Sequence, residues 1–216
     1  ILKSHYITGN YIVKLLKISI YSFLVSLPIS LYNYNQINLL SIIYNIFFVP
    51  LVSTIVFPLT LVAFLIRPLL PMYNILVNIM EKTSLILNEI SIGKLVFKRV
   101  SIYIYIIYFI LIILILKNKK QQIKIPHISF AILLIIHYLL PTIINSTFIT
   151  MIDVGQGDSI LIHSAKETIL VDTGGKMTYS ESEEENKIVK NITIPLLKSL
   201  GIKKISYLIL THGDAD

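Results

Sequence analysis

Residues 18–66 read ISIYSFLVSLPISLYNYNQINLLSIIYNIFFVPLVSTIVFPLTLVAFLI, a run of 49 positions between Lys17 and Arg67 without a charged side chain. A membrane-spanning helix needs about 20 apolar residues, so this run has room for two spans and a connecting turn. The first span is predicted near residues 14–31, and the polar residues 33–36 are predicted to form an interfacial loop. The stretch therefore predicts a polytopic α-helical membrane region.

The second uncharged block, residues 37–66, is too long for one straight span. Its 30 residues would extend about 45 Å as a helix, whereas the hydrocarbon core is about 30 Å thick. Pro50 and Pro58 lie inside the block, and each lacks the amide donor that an α-helix needs. Two predictions stay open here: a kinked or broken helix beside a transport path, or a long tilted helix with proline kinks.

Three further apolar segments follow. Residues 68–92 carry a single polar stripe, which predicts a helix that lies flat in the interface or lines a wet cavity within a bundle. Residues 100–116 and 125–144 are predicted spans. His137 is expected to be a hydrogen-bonded packing residue rather than a proton relay. If residues 68–92 also cross the membrane, the region has about five spans.

The charges divide the chain near residue 145. Residues 1–145 contain 12 basic and two acidic residues, a net charge of +10, whereas residues 146–216 contain seven and ten, a net charge of −3. With five spans, eight basic residues fall on one side of the membrane and three on the other. The positive-inside rule then places the C-terminal domain outside the cell. The absence of cysteine excludes disulfide scaffolds and thiolate metal sites.

Residues 146–216 are predicted to form the first part of an α/β domain. Three strands are predicted from short apolar runs, over residues 147–152, 159–163 and 168–171. A helix is predicted over residues 187–200, with Pro195 at a break or a fresh start and Gly201 as its C-cap. A buried strand is predicted over residues 205–210. These 71 residues are too few to complete such a domain.

Three polar clusters adjoin the predicted strands. The strongest ends the chain: if the strand continues, His212, Asp214 and Asp216 project to one side. An imidazole and two carboxylates can bind zinc or manganese. The other clusters are residues 171–175 (Val-Asp-Thr-Gly-Gly), which include Asp172, and residues 153–159 (Asp-Val-Gly-Gln-Gly-Asp-Ser). The structural alternatives are a polar turn, a common glycine turn and a tight hairpin.

In this order and spacing, the three clusters resemble the opening of a metallo-β-lactamase-fold domain of αββα architecture. The family's ligand motif is His-x-His-x-Asp-His, and Asp214 stands here at its second ligand position. The resemblance implies two divalent ions, zinc or manganese, with His212 and Asp214 at the first and Asp216 at the second. It implies a catalytic role for Asp216 and a supporting carboxylate at Asp172. Two such ions can generate a hydroxide at neutral pH and hold phosphodiester oxygens.

The cluster 153–159, placed directly after a polytopic region, resembles the ComEC family of competence DNA-uptake channels. Leu27-Pro28, Leu31-Tyr32 and residues 45–53 (Asn-Ile-Phe-Phe-Val-Pro-Leu-Val-Ser) resemble that family's competence region. The resemblance implies a multi-pass protein of the bacterial plasma membrane that imports one strand of incoming DNA, while its outer hydrolase domain degrades the other. It implies DNA, membrane lipid and other proteins of the competence machinery as partners.

The chain is expected to be an internal fragment without nuclease activity of its own, with the closing histidine and the remaining ligands beyond Asp216. Two other functions stay open. One is a membrane-tethered metallo-hydrolase that acts on a small or lipid substrate, and the other is a permease whose hydrolase-like domain is not catalytic. A net charge of −3 on residues 146–216 is unfavourable for binding DNA.

Overall fold

The computed structural model describes residues 10–90, 92–118, 124–144, 146–155, 157–174 and 188–211. The helices are α1 (Tyr11–Tyr34), α2 (Ser41–Leu51), α3 (Phe57–Leu65), α4 (Leu70–Glu89), α5 (Ile102–Lys117), α6 (Ile125–Ile143) and α7 (Ile194–Ser199). The strands are β1 (Gln36–Asn38), β2 (Lys94–Val96), β3 (Phe148–Met151), β4 (Ile160–His163), β5 (Thr168–Val171) and β6 (Tyr207–Ile209). The described residues fall into two compact units, one within residues 1–26 and 38–94 and the other within residues 27–37 and 95–216.

In the first unit, the helix from Ser41 to Leu65 changes its hydrogen-bond pattern in the middle. A π-helical segment, Val52–Val56, joins α2 to α3 between the two prolines. The ring of Pro58 would meet the carbonyl of Thr54 in a regular α-helix, and a π turn relieves such a conflict by widening the backbone. The hydroxyl of Thr54 donates a hydrogen bond of 2.6 Å to the carbonyl of Pro50. The prolines therefore distort this helix without breaking it.

Among the described residues, three helices are long and apolar enough to cross a membrane: Tyr11–Tyr34, Ser41–Leu65 and Ile125–Ile143. α5 is also apolar, but its 16 residues extend only about 24 Å. α4 has the predicted polar stripe and is not one of the three. The total of about five spans, which also counts α4 and α5, stays a prediction.

In the second unit, α5 and α6 form an antiparallel pair around His137, which is only 3% exposed. One ring nitrogen of His137 lies 3.2 Å from the hydroxyl of Tyr108, and the other lies 2.8 Å from the carbonyl oxygen of Lys98. Phe97 packs against the same ring, with centroids 5.1 Å apart. The histidine thus ties the segment before α5 to the last turns of α6, and its prediction as a hydrogen-bonded packing residue is confirmed.

The second unit also contains a four-stranded sheet in the order β3-β4-β5-β6. β3, β4 and β5 are successive antiparallel strands, and β6 pairs with β5 in parallel. A turn over residues 164–167 joins β4 to β5, and the amide of Ser164 donates to the carbonyl of Glu167 at 2.9 Å. A parallel pair needs a crossover connection, and α7 lies in the one between β5 and β6.

One face of this sheet packs against α7 to form the domain core. The buried core residues are Ile152, Val154, Leu161, Leu170, Leu197 and Ile202. On the opposite face, Ile149 and Met151 are 71% and 82% exposed. The strand predicted over residues 205–210 is confirmed as β6, but its predicted burial is wrong, because all three residues of β6 are exposed. β6 lies at an edge of the sheet, and within the described residues β5 is its one neighbour.

The helical segment before β6 runs through Pro195 without interruption, so the prediction of a break or a fresh start there is wrong. A π-helical segment, Val189–Thr193, leads directly into α7, and Thr193 at the junction has helical φ and ψ values of −65° and −51°. Gly201 has a φ of +78°, and the amide of Ile202 donates to the carbonyl of Leu197, as in a Schellman C-cap. A Cβ at Gly201 would lie 3.1 Å from the Cβ of Lys98. The cap therefore brings the sheet domain against the segment before α5.

Candidate functional site

The described residues of two predicted polar clusters, 153–159 and 171–175, lie at one end of the sheet, and β6 ends there at the residues that precede the third cluster. Met151, Ile160, Val171 and Ile209 form a single row across the four strands. The connection between β3 and β4, the turn after β5 and the residues after β6 all leave the sheet from this row. Ligand sites in sheets with parallel strands commonly lie at the carboxyl ends of those strands, which here are β5 and β6. We call this region the polar sheet end.

Asp172 joins the ends of the two parallel strands. Its carboxylate accepts a hydrogen bond of 2.8 Å from the amide of Thr211 and another of 2.6 Å from the Thr211 hydroxyl. Its own amide donates to the carbonyl of Ile209 at 2.9 Å, which extends the pairing of β5 with β6. Asp172 is only 4% exposed, whereas its partner Thr211 is exposed, so the hydrogen bonds between them are partly shielded from water. The side chain therefore holds the residue that directly precedes His212.

The backbone of Asp172 adopts a left-handed conformation, with a φ of +51°. Aspartate enters this region at lower cost than most residues, because its short carboxylate can bond to nearby amides. The carbonyl of Asp172 accepts a hydrogen bond of 3.0 Å from the buried hydroxyl of Ser159. Gly174 has a φ of +72°, and a Cβ there would lie 2.6 Å from the Cβ of Val154. The turn after β5 is thus fixed against both ends of the cluster 153–159.

The cluster 153–159 forms an open connection rather than a two-residue hairpin turn. The amide of Ile152 bonds to the carbonyl of Ser159 at 2.8 Å, which closes the loop at its base. Gly155 and Gly157 have positive φ values, and the amide of Gly155 bonds to the Asp153 carboxylate at 3.3 Å. The carboxylates of Asp153 and Asp158 are on exposed residues. The loop therefore places two accessible acidic side chains at the polar sheet end.

The predicted ligands His212, Asp214 and Asp216 lie outside the described residues. Within the part of the chain that the structure does describe, no group of three histidine or acidic side chains is placed to hold a metal ion. Two contributors were missed in the sequence: Thr211, which bonds to Asp172, and Ser159, which supports the turn. A hydroxyl residue immediately before His212 was the available signal for the first.

The molecule thus combines long apolar helices with a sheet domain. The clusters 153–159 and 171–175, which resemble those of metallo-β-lactamase-fold domains, lie at the polar end of its sheet. Residues 152–216 match the family described as Metallo-beta-lactamase superfamily, and residues 3–122 match the family described as Competence protein. The second match covers more than half of the 216 residues, and the chain belongs to the Competence protein family. The predicted family and the predicted fold class, a helical membrane region followed by a metallo-β-lactamase-like domain, are confirmed.

A curated relative carries both regions. "ComE operon protein 3" of Bacillus subtilis (strain 168) is 25% identical over 218 residues, which are 92% of this chain and 28% of that protein. The chain therefore spans less than a third of the relative's length. No solved structure matches the chain.

Proposed function

We propose that the chain is part of a membrane channel that imports single-stranded DNA during natural transformation, with an extracellular metal-dependent hydrolase domain that degrades the other strand. Membership of the Competence protein family and the apolar helices support the uptake role. The observation that supports the hydrolase role is the pair of hydrogen bonds by which the Asp172 carboxylate holds Thr211, the residue before His212, at the polar sheet end.

In this proposal, His212, Asp214 and Asp216 hold the divalent ions. Imidazole and carboxylate donors suit zinc and manganese, and the chain has no cysteine that would favour a thiolate site. Two ions, when bound, would supply an activated water and neutralise charge on the phosphodiester. Asp172 acts as a positioning residue, because both of its carboxylate oxygens accept hydrogen bonds from Thr211. It fixes the direction in which the chain leaves β6 towards His212.

The proposed orientation rests on the basic residues near the spans. Eight lie on the side predicted to be cytoplasmic and three on the other, provided that α4 crosses the membrane. The sheet domain would then meet incoming duplex DNA outside the cell. The uneven charge supports this arrangement, because the loops that stay inside carry most of the +10 of residues 1–145.

The test uses Asp216→Asn in the complete protein of a transformable cell. We expect bound metal to fall and transformation by an added single strand to continue, because strand passage does not require the metal site. Asp158→Asn is the matched control, since this exposed carboxylate lies at the same polar sheet end but is not a proposed ligand. If Asp216→Asn abolishes transformation at normal protein level, strand passage needs the site and the proposed division of labour is wrong. If metal content is unchanged, the ligand assignment is wrong.

A further inference from the structure

The second unit contains a cavity of about 420 Å³ where the sheet domain meets the ends of α5 and α6. Five parts of the chain line it: Lys98 before α5, the end of α6 around Pro141, the segment that leads into β3, the β4–β5 hairpin, and the segment after α7. None of these parts belongs to the polar sheet end. The hairpin lies at the opposite end of β4 and β5, so the cavity is a separate feature of the domain.

The lining of the cavity is strongly basic. Lys98, Lys166, Lys203 and Lys204 are lining residues, and among the described residues Glu167 is the one acidic residue of the lining. This excess of positive charge contrasts with the net charge of −3 on residues 146–216 as a whole. A concave surface with clustered lysines attracts anions and concentrates them.

Another lining residue is a neutral hydrogen-bonding group. His163 has one ring nitrogen 2.8 Å from the Thr168 hydroxyl. Burial lowers the pKa of His163, and the positive charge of Lys98 lowers it further, so the ring is uncharged near neutral pH. The cavity therefore combines cationic residues with an uncharged imidazole ring in its lining.

The cavity adjoins one end of the apolar helix pair α5 and α6. Lys98 and Pro141 are at the same end of the antiparallel pair, because Lys98 bonds to His137 in the last turns of α6. Apolar side chains beside the cavity remain open, among them Ile143 at 64% and Ile102 at 50% exposed. The ammonium of Lys203 lies 3.7 Å from the ring centroid of Tyr138, and tyrosines of this kind are typical of membrane interfaces.

We propose that this cavity binds the phosphate headgroup of an anionic phospholipid, whose acyl chains lie along the exposed isoleucines at the ends of α5 and α6. Basic pockets beside the ends of membrane helices are known to suit such headgroups. A lipid explains both halves of the surface, the lysines and the open apolar side chains next to them. A DNA backbone would explain only the lysines.

The test measures lipid retention by the full chain in detergent, using native mass spectrometry with phosphatidylglycerol or phosphatidylcholine added. The variant K166Q/K204Q removes two charges from exposed positions, so folding is expected to persist. Each lysine near a membrane surface changes anionic-lipid affinity by about fivefold, so the double variant should bind phosphatidylglycerol about 30-fold more weakly. Phosphatidylcholine binding should be weak in both proteins.

The matched control is K117Q/K124Q, which removes two charges at the other end of the same helix pair. It should bind phosphatidylglycerol as the unmodified chain does. Equal binding by K166Q/K204Q and the unmodified chain, or an equal loss in the control, would overturn the proposal. A single-stranded oligonucleotide is the third probe. If it displaces phosphatidylglycerol and its own binding depends on Lys166 and Lys204, the cavity is a nucleic-acid site and the lipid assignment is wrong.

Discussion

Replacing Asp172 by alanine is expected to release the end of β6 that carries Thr211. Two hydrogen bonds to a carboxylate are lost, each of which contributes about 1.5–3 kcal/mol. Thr211 is exposed, so water can replace part of the lost hydrogen bonding. We therefore expect the lower value for each bond, or about 3 kcal/mol for the two bonds together. A change of that size corresponds to about 150-fold faster local opening.

Hydrogen exchange measures this opening directly, because amide exchange reports the free energy of local unfolding. In Asp172→Ala, the amide of Thr211 should exchange about 150-fold faster than in the unmodified chain, in detergent or nanodiscs. Thr211→Val removes the hydroxyl bond alone and should accelerate exchange by about tenfold. Asp158→Ala is the control and should leave the rate unchanged. Exchange in Asp172→Ala that stays within about threefold of the unmodified rate would refute the positioning role.

Three further predictions concern other contacts in the second unit. Gly174→Ala should lower domain stability by about 2–4 kcal/mol, because it forces a left-handed alanine against Val154. An unchanged urea midpoint would contradict this, and partial recovery in combination with Val154→Ala would support it. His137→Ala loses two hydrogen bonds and should speed trypsin cleavage after Lys98 by about 30-fold. Cleavage at the rate of the unmodified chain would show that His137 does not hold the segment before α5 against α6. The pKa of His163 lies below 6.5, so the folded state disfavours its proton. The stability of the domain should therefore fall as the pH drops below about 6.5. Thermal melts at several pH values should show this fall, and His163→Gln should reduce it.

The pairing of β4 with β5 was predictable because these strands are close together in sequence. β3, β4 and β5 are successive antiparallel strands, and the turn between the last two is only four residues long. Apolar runs and polar turns specify such pairings without knowledge of distant residues. The end of α7 was predictable for a similar reason, since Gly201 caps the helix, whereas the interruption expected at Pro195 is replaced by a continuous helix.

The exposure of β6 was not predictable from its composition. Tyr207, Leu208 and Ile209 are apolar, and an apolar run after a helix suggests a strand buried on both faces. Whether a strand lies at an edge depends on which other strands pair with it, and this information lies outside the run. The same limit applies to the second uncharged block, where proline positions predicted a distortion but not its π-helical form.

The candidate site was predictable in its residue types but not in its connections. Asp172 was selected because a carboxylate follows a strand, but the bonds of this residue to Thr211 depend on the parallel pairing of β5 with β6. Those two residues are 39 positions apart in sequence. The basic cavity is a stronger example, because its lysines come from separate parts of the chain and only the fold collects them.

The central claim is that the polar sheet end degrades the DNA strand that is not imported. The most direct measurement is the release of labelled nucleotides into the medium by competent cells that receive duplex DNA labelled in both strands. In cells whose complete protein carries Asp216→Asn, nucleotide release should fall at least about tenfold, as expected for damage to a metal site. Release at the unmodified rate from those cells would contradict the claim.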